Sequence, residues 1–387
     1  MRIPFSKVSC KGNELKYVKE VLESGWLTTA GKTQAFEKKF AEIVGAHFAC
    51  AVNSGTAALH LALDALRVGP RDKVLVPTMT FTATAEVVRY LGADPVFIDV
   101  EYGSSLVTPE IINQSIEKHP DIKVFIPVHF GGQAAPMLSK DGIGLLDICR
   151  EKGIYVVEDA AHAFPARCNG RMIGNIGDIT CFSFYANKTI TTGEGGMLTT
   201  NDENIVRHIR LMRLHGIDRD VWDRYHSRNI SWEYDVIAPG YKYNMPDLAA
   251  AIGLAQLEKA DFFRKERERC ANWYFKYLSD IDCIDLPLVH GKISDHAWHL
   301  FVIILNERSS ISRNQFIEFM AERGIGTSVH YKPLHRMTYY RERYKLHTEN
   351  FANAEKIWKG CVSLPIYPEL DEEELAYICR SIRAILT

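Results

Sequence analysis

Three features of this sequence combine residue types and surroundings that could do chemistry: a lysine, an aspartate and a turn of small residues. The lysine is Lys188, at the end of Thr180-Cys181-Phe182-Ser183-Phe184-Tyr185-Ala186-Asn187-Lys188, and Thr191-Thr192-Gly193-Glu194-Gly195-Gly196-Met197-Leu198 comes closely after it. A lysine desolvated at the end of an apolar run has a lowered pKa, which frees its amine for Schiff-base formation. The glycines after it let backbone approach a bound ring or phosphate closely. The aspartate is Asp159, closing the run Val156-Val157-Glu158-Asp159 ahead of Ala160-Ala161-His162. A carboxylate there is costly to bury without a partner. No neighbouring cation in the sequence supplies one, whereas a ligand with a protonated ring nitrogen would. The turn is Ser54-Gly55-Thr56-Ala57-Ala58-Leu59 after Cys50-Ala51-Val52. It opens a helix whose free N–H groups, hydroxyls and positive dipole end suit a phosphate.

Each feature alone has a plainer reading. The turn is equally an ordinary Ser/Thr N-cap, Asp159 the N-cap of a helix after its strand, His162 a satisfied core histidine, and any lysine a solvated surface residue. Together they are explained by one ligand. A phosphate cup, a carboxylate for a pyridinium nitrogen and a Schiff-base lysine are what pyridoxal 5'-phosphate requires. Phe81, in Met79-Thr80-Phe81-Thr82-Ala83, offers a face for the ring to stack on.

The elements that must hold these residues are legible as apolar runs and amphipathic stretches. Lys73–Pro77, Pro95–Asp99, Lys123–Val128 and Ile154–Asp159 read as short buried strands, with helices over Ala57–Leu66, Ala83–Leu91 and Pro109–Lys118 between them. Such alternation predicts an α/β fold with a mainly parallel sheet covered on both faces, and ligands bound beyond the strands' carboxyl ends. From Asp247 to Asp280 the pattern is one long helix. A strand at His299–Leu305, a helix at Arg313–Glu322 stopped by Gly324, and a terminal helix at Asp371–Leu386 complete a smaller α+β part. The expected division is a large domain over residues 1–250 and a linking helix with a small domain over 251–387.

Composition narrows the class. With 387 residues the chain is long for one core. Its 46 Lys+Arg against 48 Asp+Glu give a net charge of −2, which argues against a nucleic-acid binder relying on a basic face. No apolar stretch is long enough for a membrane helix. The nine cysteines include no C-x-x-C pair, so reduced thiols in a cytoplasmic protein are expected, and no metal site.

The combined motifs resemble the pyridoxal-phosphate-dependent sugar-nucleotide aminotransferases of the DegT/DnrJ/StrS family. The resemblance runs on through Gly240-Tyr241-Lys242-Tyr243-Asn244-Met245, Gln256-Leu257 and His296-Ala297-Trp298-His299-Leu300-Phe301 to Ser328-Val329-His330-Tyr331-Lys332-Pro333-Leu334-His335. It implies a fold-type-I aminotransferase with a large, mostly parallel seven-stranded domain and a small C-terminal domain, working as a homodimer with shared active sites. It also implies roles. Lys188 would form the Schiff base and shuttle the proton, and Asp159 would pair with the pyridine nitrogen. His162 would lie near the ring's phenolic oxygen, and Gly55, Thr56 and Ser183 would bind the phosphate. Asn244 would reach the phosphate of the other subunit's cofactor.

Glutamate is the implied amino donor and a nucleotide-linked 4-keto sugar the acceptor. Arg219, Arg228, Lys242 and Lys332 are candidate cations for its diphosphate. His330 and His335 fall near the site in this reading and are equally structural histidines. Other readings are a transaminase of a 3-keto nucleotide sugar or a keto-octulosonate, a sugar dehydratase, or a non-catalytic regulator retaining the fold. A cofactor-free lysine aldolase leaves the phosphate cup and Asp159 unexplained, and Lys188 favours transamination over dehydration.

Overall fold

The computed structural model describes residues 1–139, 142–218 and 234–386. Seven strands form the principal sheet: β1 (Phe48–Val52), β2 (Lys73–Pro77), β3 (Asp94–Ile98), β4 (Ile122–Phe125), β5 (Tyr155–Asp159), β8 (Ile179–Ser183) and β9 (Gly196–Thr200). Between β5 and β8 lies a hairpin of two-residue strands, β6 (Arg167–Cys168) and β7 (Arg171–Met172). The order across the sheet is β1-β9-β8-β5-β4-β2-β3. The four pairings from β8 to β3 are parallel, and β9 runs antiparallel to both its neighbours. The predicted mainly parallel α/β sheet is therefore present.

Two expectations need adjustment. β4 ends at Phe125: beyond it Ile126 still donates to Leu75 O, but toward β5 there is only an isolated bridge at Val128. The predicted single helix over Asp247–Asp280 is two, Asp247–Leu257 and Ala260–Leu278. Lys259 leaves helical geometry (φ −109°, ψ 3°), and its ammonium pairs with the buried Glu14 carboxylate. Sequence periodicity carries across such a break, since both segments keep apolar spacing.

Packing beneath the sheet fixes which face each residue of β8 shows. Phe182 and Phe184 turn the same way because strand side chains alternate. Both meet Phe40, with ring centroids 4.9 and 5.6 Å away, and Phe184 also meets Phe36 at 5.3 Å. All four rings are buried. At about 1.5–3 kcal/mol for each buried side chain of this kind, the cluster sets the strand's orientation firmly. Ser183, between the two phenylalanines, must therefore face the opposite way.

A three-stranded sheet, β10 (Ile284–Asp285), β11 (Phe301–Leu305) and β12 (Cys361–Leu364), lies under helices Ala260–Leu278, Arg313–Glu322 and Glu372–Leu386. Its core includes Tyr274, Trp298, Phe301, Phe316 and Ile3. The N-terminus thus packs with the C-terminal part: Ile3 N–H donates to Gly324 O, and Gly326 N–H donates to Ile3 O. Seven of the nine cysteines are buried, and all nine are free thiols. No helix among the described residues is long and apolar enough to cross a membrane.

One buried carboxylate ties distant segments together. Asp247 accepts hydrogen bonds from the backbone N–H groups of Ala30, Lys32 and Thr33 and from the Thr33 hydroxyl, at 2.7–2.9 Å. It caps helix Gly31–Val44, which has no capping side chain of its own. Asp247→Ala is expected to cost about 2–4 kcal/mol, because buried donors are left unpaired. A thermal unfolding midpoint equal to that of the wild type would contradict this role.

Candidate active site

Four loops leave the carboxyl edge of the sheet and enclose a cavity of about 440 Å³. β1 leads to Ser54-Gly55-Thr56, β2 to Phe81 and Ala83, β5 to Asp159-Ala160-Ala161-His162, and β8 to Ser183, Tyr185, Asn187 and Lys188. His330 and Tyr331, far along the chain, line it as well. Gly55, Thr56, Phe81, Asp159, His162, Ser183 and Lys188 are therefore brought together. Asn244 is not among the lining residues: its side chain donates to Thr29 Oγ1 at 2.7 Å and accepts from Lys242. Lys242 and Lys332 are exposed, and Arg219 and Arg228 lie outside the described residues.

The turn after β1 opens helix Gly55–Ala65. Its N-cap Ser54 accepts from Ala57 N–H at 3.0 Å, which leaves the N–H groups of Gly55 and Thr56 without intrahelical acceptors. Close approach demands glycine here. A Cβ on Gly55 would stand 2.9 Å from Ser183 Cβ, and one on Gly196 would stand 2.4 Å from Ser54 O. The Gly-rich turn thus lets β9 press against the helix entrance. That brings the Ser183 hydroxyl beside two free N–H groups at a positive helix end.

The lysine loop is held at both ends. Phe184 N–H donates to Gly195 O, Thr192 N–H donates to Phe184 O, and Lys188 N–H donates to Tyr185 O. Lys188 is half-buried, and burial pulls its amine down to about 8, with nearby Asp159 opposing the shift. Asn187 Oδ1, in the same wall, is buried and has no partner among the described residues.

Asp159 sits at the end of β5 and faces the cavity. It accepts from Thr84 Oγ1 at 2.8 Å and from Ala161 N–H at 3.1 Å. Burial pushes its carboxyl above the usual range, and those bonds together with the charges of Lys188 and His129 only partly oppose this. Its neighbour Glu158 turns to the other face, fully buried. Burial would raise Glu158 too, but there the bonds win. His129, Thr180 and Gly177 N–H all contact its carboxylate within 2.9 Å, and its carboxyl lies below the usual range. The two adjacent carboxylates differ because one is saturated with protein donors and the other keeps capacity toward the cavity.

His162 is neutral: burial first, then the charges of Lys188 and His330, hold it well below the ordinary histidine range. Gly131 N–H donates to its Nδ1 at 3.3 Å, which assigns the ring proton to Nε2. That N–H faces the Tyr331 hydroxyl at 3.1 Å. Tyr331 in turn stands 5.9 Å from the exposed ring of Phe81 at the cavity mouth. The two other histidines separate. His330 lines the cavity, bonded to Ser363 Oγ at 2.7 Å and lowered to about 4, chiefly by burial. His335 is structural, fixed between Thr78 and Glu355 and stacked on Phe351.

Sequence reasoning missed Thr84 and gave Tyr331 no role. The Thr80-Phe81-Thr82-Ala83-Thr84 run was visible, but nothing in it points to a carboxylate 75 residues away. A buried amine, a carboxylate with spare acceptor capacity, an orphaned amide oxygen and a glycine-tight helix entrance fit a phosphorylated, protonatable ring carrying a carbonyl. The residues present are thus suited to pyridoxal phosphate.

Comparison with known proteins identifies the family. The family model for the DegT/DnrJ/EryC1/StrS aminotransferase family matches residues 9–383. The chain is 42% identical over 386 residues to the spore coat polysaccharide biosynthesis protein SpsC of Bacillus subtilis, covering 99% of this chain and 97% of that protein. Among solved structures it resembles a putative sugar aminotransferase, Spr1654, from Streptococcus pneumoniae in its PMP form, with 30% identity and a TM-score of 0.88, covering 99% of both chains. It also resembles Helicobacter pylori PseC, an aminotransferase involved in the biosynthesis of pseudoaminic acid. There the identity is 25% and the TM-score 0.90, over 100% of this chain and 99% of that one. The chain therefore belongs to the DegT/DnrJ/EryC1/StrS aminotransferase family, whose members depend on pyridoxal phosphate.

Proposed function

We propose that this aminotransferase moves an amino group from glutamate to a nucleotide-linked 4-keto sugar, working in the cytoplasm as a homodimer with shared active sites. The observation that carries the reading is the meeting of the Lys188 amine, the Asp159 carboxylate and the open N-terminus of helix Gly55–Ala65 in one cavity. The sugar is supported by what relatives are called: a spore coat polysaccharide biosynthesis protein, a sugar aminotransferase and an enzyme of pseudoaminic acid formation. In this reading residues 1–250 carry the cofactor-binding part and 251–387 the smaller part, which the N-terminal segment around Ile3 joins.

When bound, pyridoxal phosphate supplies a carbonyl that captures amines and a ring that accepts the electron pair released at carbon. The chain's own residues do the rest. Gly55 and Thr56 N–H groups and the Ser183 hydroxyl would hold the phosphate, and Phe81 would cover one face of the ring. Asp159 would keep a proton on the ring nitrogen, and His162 would lie near the phenolic oxygen. Lys188 Nζ removes the α-proton of the amino donor and later delivers a proton to the former carbonyl carbon of the sugar. An amine lowered to about 8 suits both directions, since it is neither locked as ammonium nor too weak a base. Asn244 serves the phosphate site of the other subunit, and Lys242 and Lys332 are candidates for the sugar nucleotide's diphosphate.

Lys188→Ala is expected to abolish the visible absorption band of the protein–cofactor linkage and to lower turnover by several orders of magnitude. A variant retaining the band would place the linkage elsewhere. The amine gives a pH dependence with a definite sign. Lys188 is mostly protonated below about 8 and mostly free above it, so the rate at which apoenzyme captures pyridoxal phosphate should rise through a midpoint near pH 8 and level off above it. A rate still climbing steeply toward the ordinary lysine value of 10.5 would contradict the shift.

The substrate assignment is tested with glutamate and a panel of 3-keto and 4-keto nucleotide sugars, monitoring 2-oxoglutarate and amino-sugar product. Product from 4-keto sugars is expected. Product only from 3-keto sugars, or from none of the panel, would overturn the acceptor class while leaving the family intact.

A further inference from the structure

The Asp159 carboxylate is gripped at both oxygens by different kinds of donor. Oδ1 takes Ala161 N–H from its own loop, at 3.1 Å, and Oδ2 takes the Thr84 hydroxyl, at 2.8 Å. Among the described residues Thr84 is the only side-chain donor to this carboxylate. Thr84 and Thr80 are both buried, at 0% and 2% exposure.

Proton counting gives the chain a direction. Thr84 Oγ1 has three neighbours: Asp159 Oδ2 at 2.8 Å, Phe81 O at 3.1 Å and Thr80 Oγ1 at 2.7 Å. The carboxylate and the carbonyl can only accept, and the hydroxyl has one proton. The shorter, charge-assisted bond to Asp159 takes it. Thr80 must then donate to Thr84. Two hydroxyls in series are therefore polarised toward one carboxylate, and low local dielectric strengthens such a series.

From this juxtaposition we infer that Thr84, backed by Thr80, is a positioning residue that aims the Asp159 carboxylate at the cofactor's ring nitrogen and keeps it anionic. The inference rests on the pyridoxal phosphate reading above. Thr84 stands in the first turn of helix Ala83–Tyr90, three residues after Phe81 on the same segment. The segment that carries the stacking ring thus also carries the donor that steadies the carboxylate, so ring and ring nitrogen are located together.

The test is pyridoxal phosphate affinity, measured on apoenzyme by ultrafiltration and by tryptophan fluorescence. Thr84→Val keeps the shape and removes the hydroxyl, and it should weaken binding roughly tenfold or more, the range for losing a hydrogen bond to a charged group. Thr84→Ser keeps the donor and should bind close to wild type. In an Asp159→Asn background the Thr84→Val effect should largely vanish, because the interaction it removes is with the carboxylate. Equal losses in the Ser and Val variants, or a Val effect undiminished in the Asn background, would overturn the inference and leave only packing. If Thr84→Val does not fold, Thr80→Val takes its place. It removes the donation that polarises the Thr84 hydroxyl toward Asp159 and should weaken binding in the same direction; unchanged affinity would overturn the inference. Wild-type apoenzyme that takes up no pyridoxal phosphate would instead remove the cofactor reading itself.

Discussion

The site depends on a carboxylate buried at the end of a parallel strand. Desolvating an ion costs several kcal/mol, and Asp159 recovers part of this from Thr84, Ala161 N–H and the nearby amine of Lys188. The remainder is unmet, which is why its carboxyl sits above the usual range. Glu158 shows the alternative one residue earlier. Equally buried, it has His129, Thr180 and Gly177 around it and asks for nothing more. A strand that places a satisfied acid on one face and an under-satisfied one on the other has put its unmet electrostatic demand in the cavity.

The rest of the scaffold holds partners for that demand at fixed positions. Phe182 and Phe184 lock β8 against Phe40, so Ser183 faces the open end of helix Gly55–Ala65. The paired glycines of the next turn admit contacts that a Cβ would forbid, as at Gly196 against Ser54 O. Lys188 then emerges from a loop tied back through Phe184, Gly195 and Thr192. Its amine is lowered by the same burial that raises the acid, so the two shifts have one cause with opposite signs. Around them stand neutral histidines. His162 passes its Nε2–H toward Tyr331, and His330 is engaged with Ser363. Beyond the acid–amine pair, Glu194 is the other acidic side chain among the described residues that line the cavity.

Much of the fold was legible because its signals are local. β2 and helices Pro109–Lys118 and Arg313–Glu322 occupy the residues the pattern predicts, since caps, prolines and apolar runs act over a few residues. The failures have non-local causes. The break at Glu258–Lys259 coincides with an ion pair to Glu14, 245 residues upstream, which periodicity cannot register. β4 stops short for want of a regular partner beyond Phe125, a matter of neighbouring strands rather than of its own apolar run.

For the site the division is similar. The sequence alone offered the candidates: Lys188, Asp159, Gly55 and Thr56 stand out by type and by their place after apolar runs, while Ser183 entered through the family resemblance. The sequence could offer them because strand ends, helix starts and glycine turns are properties of short segments. Tertiary structure decided the company they keep. It joined Thr84 to Asp159, Tyr331 to His162 and His330 to Ser363, sent His335 to a structural post beside Glu355, and left Asn244 with Thr29 outside the cavity. Those pairings depend on a few ångströms across the sheet edge, a distance set by packing of the whole chain, and no spacing along the sequence encodes it.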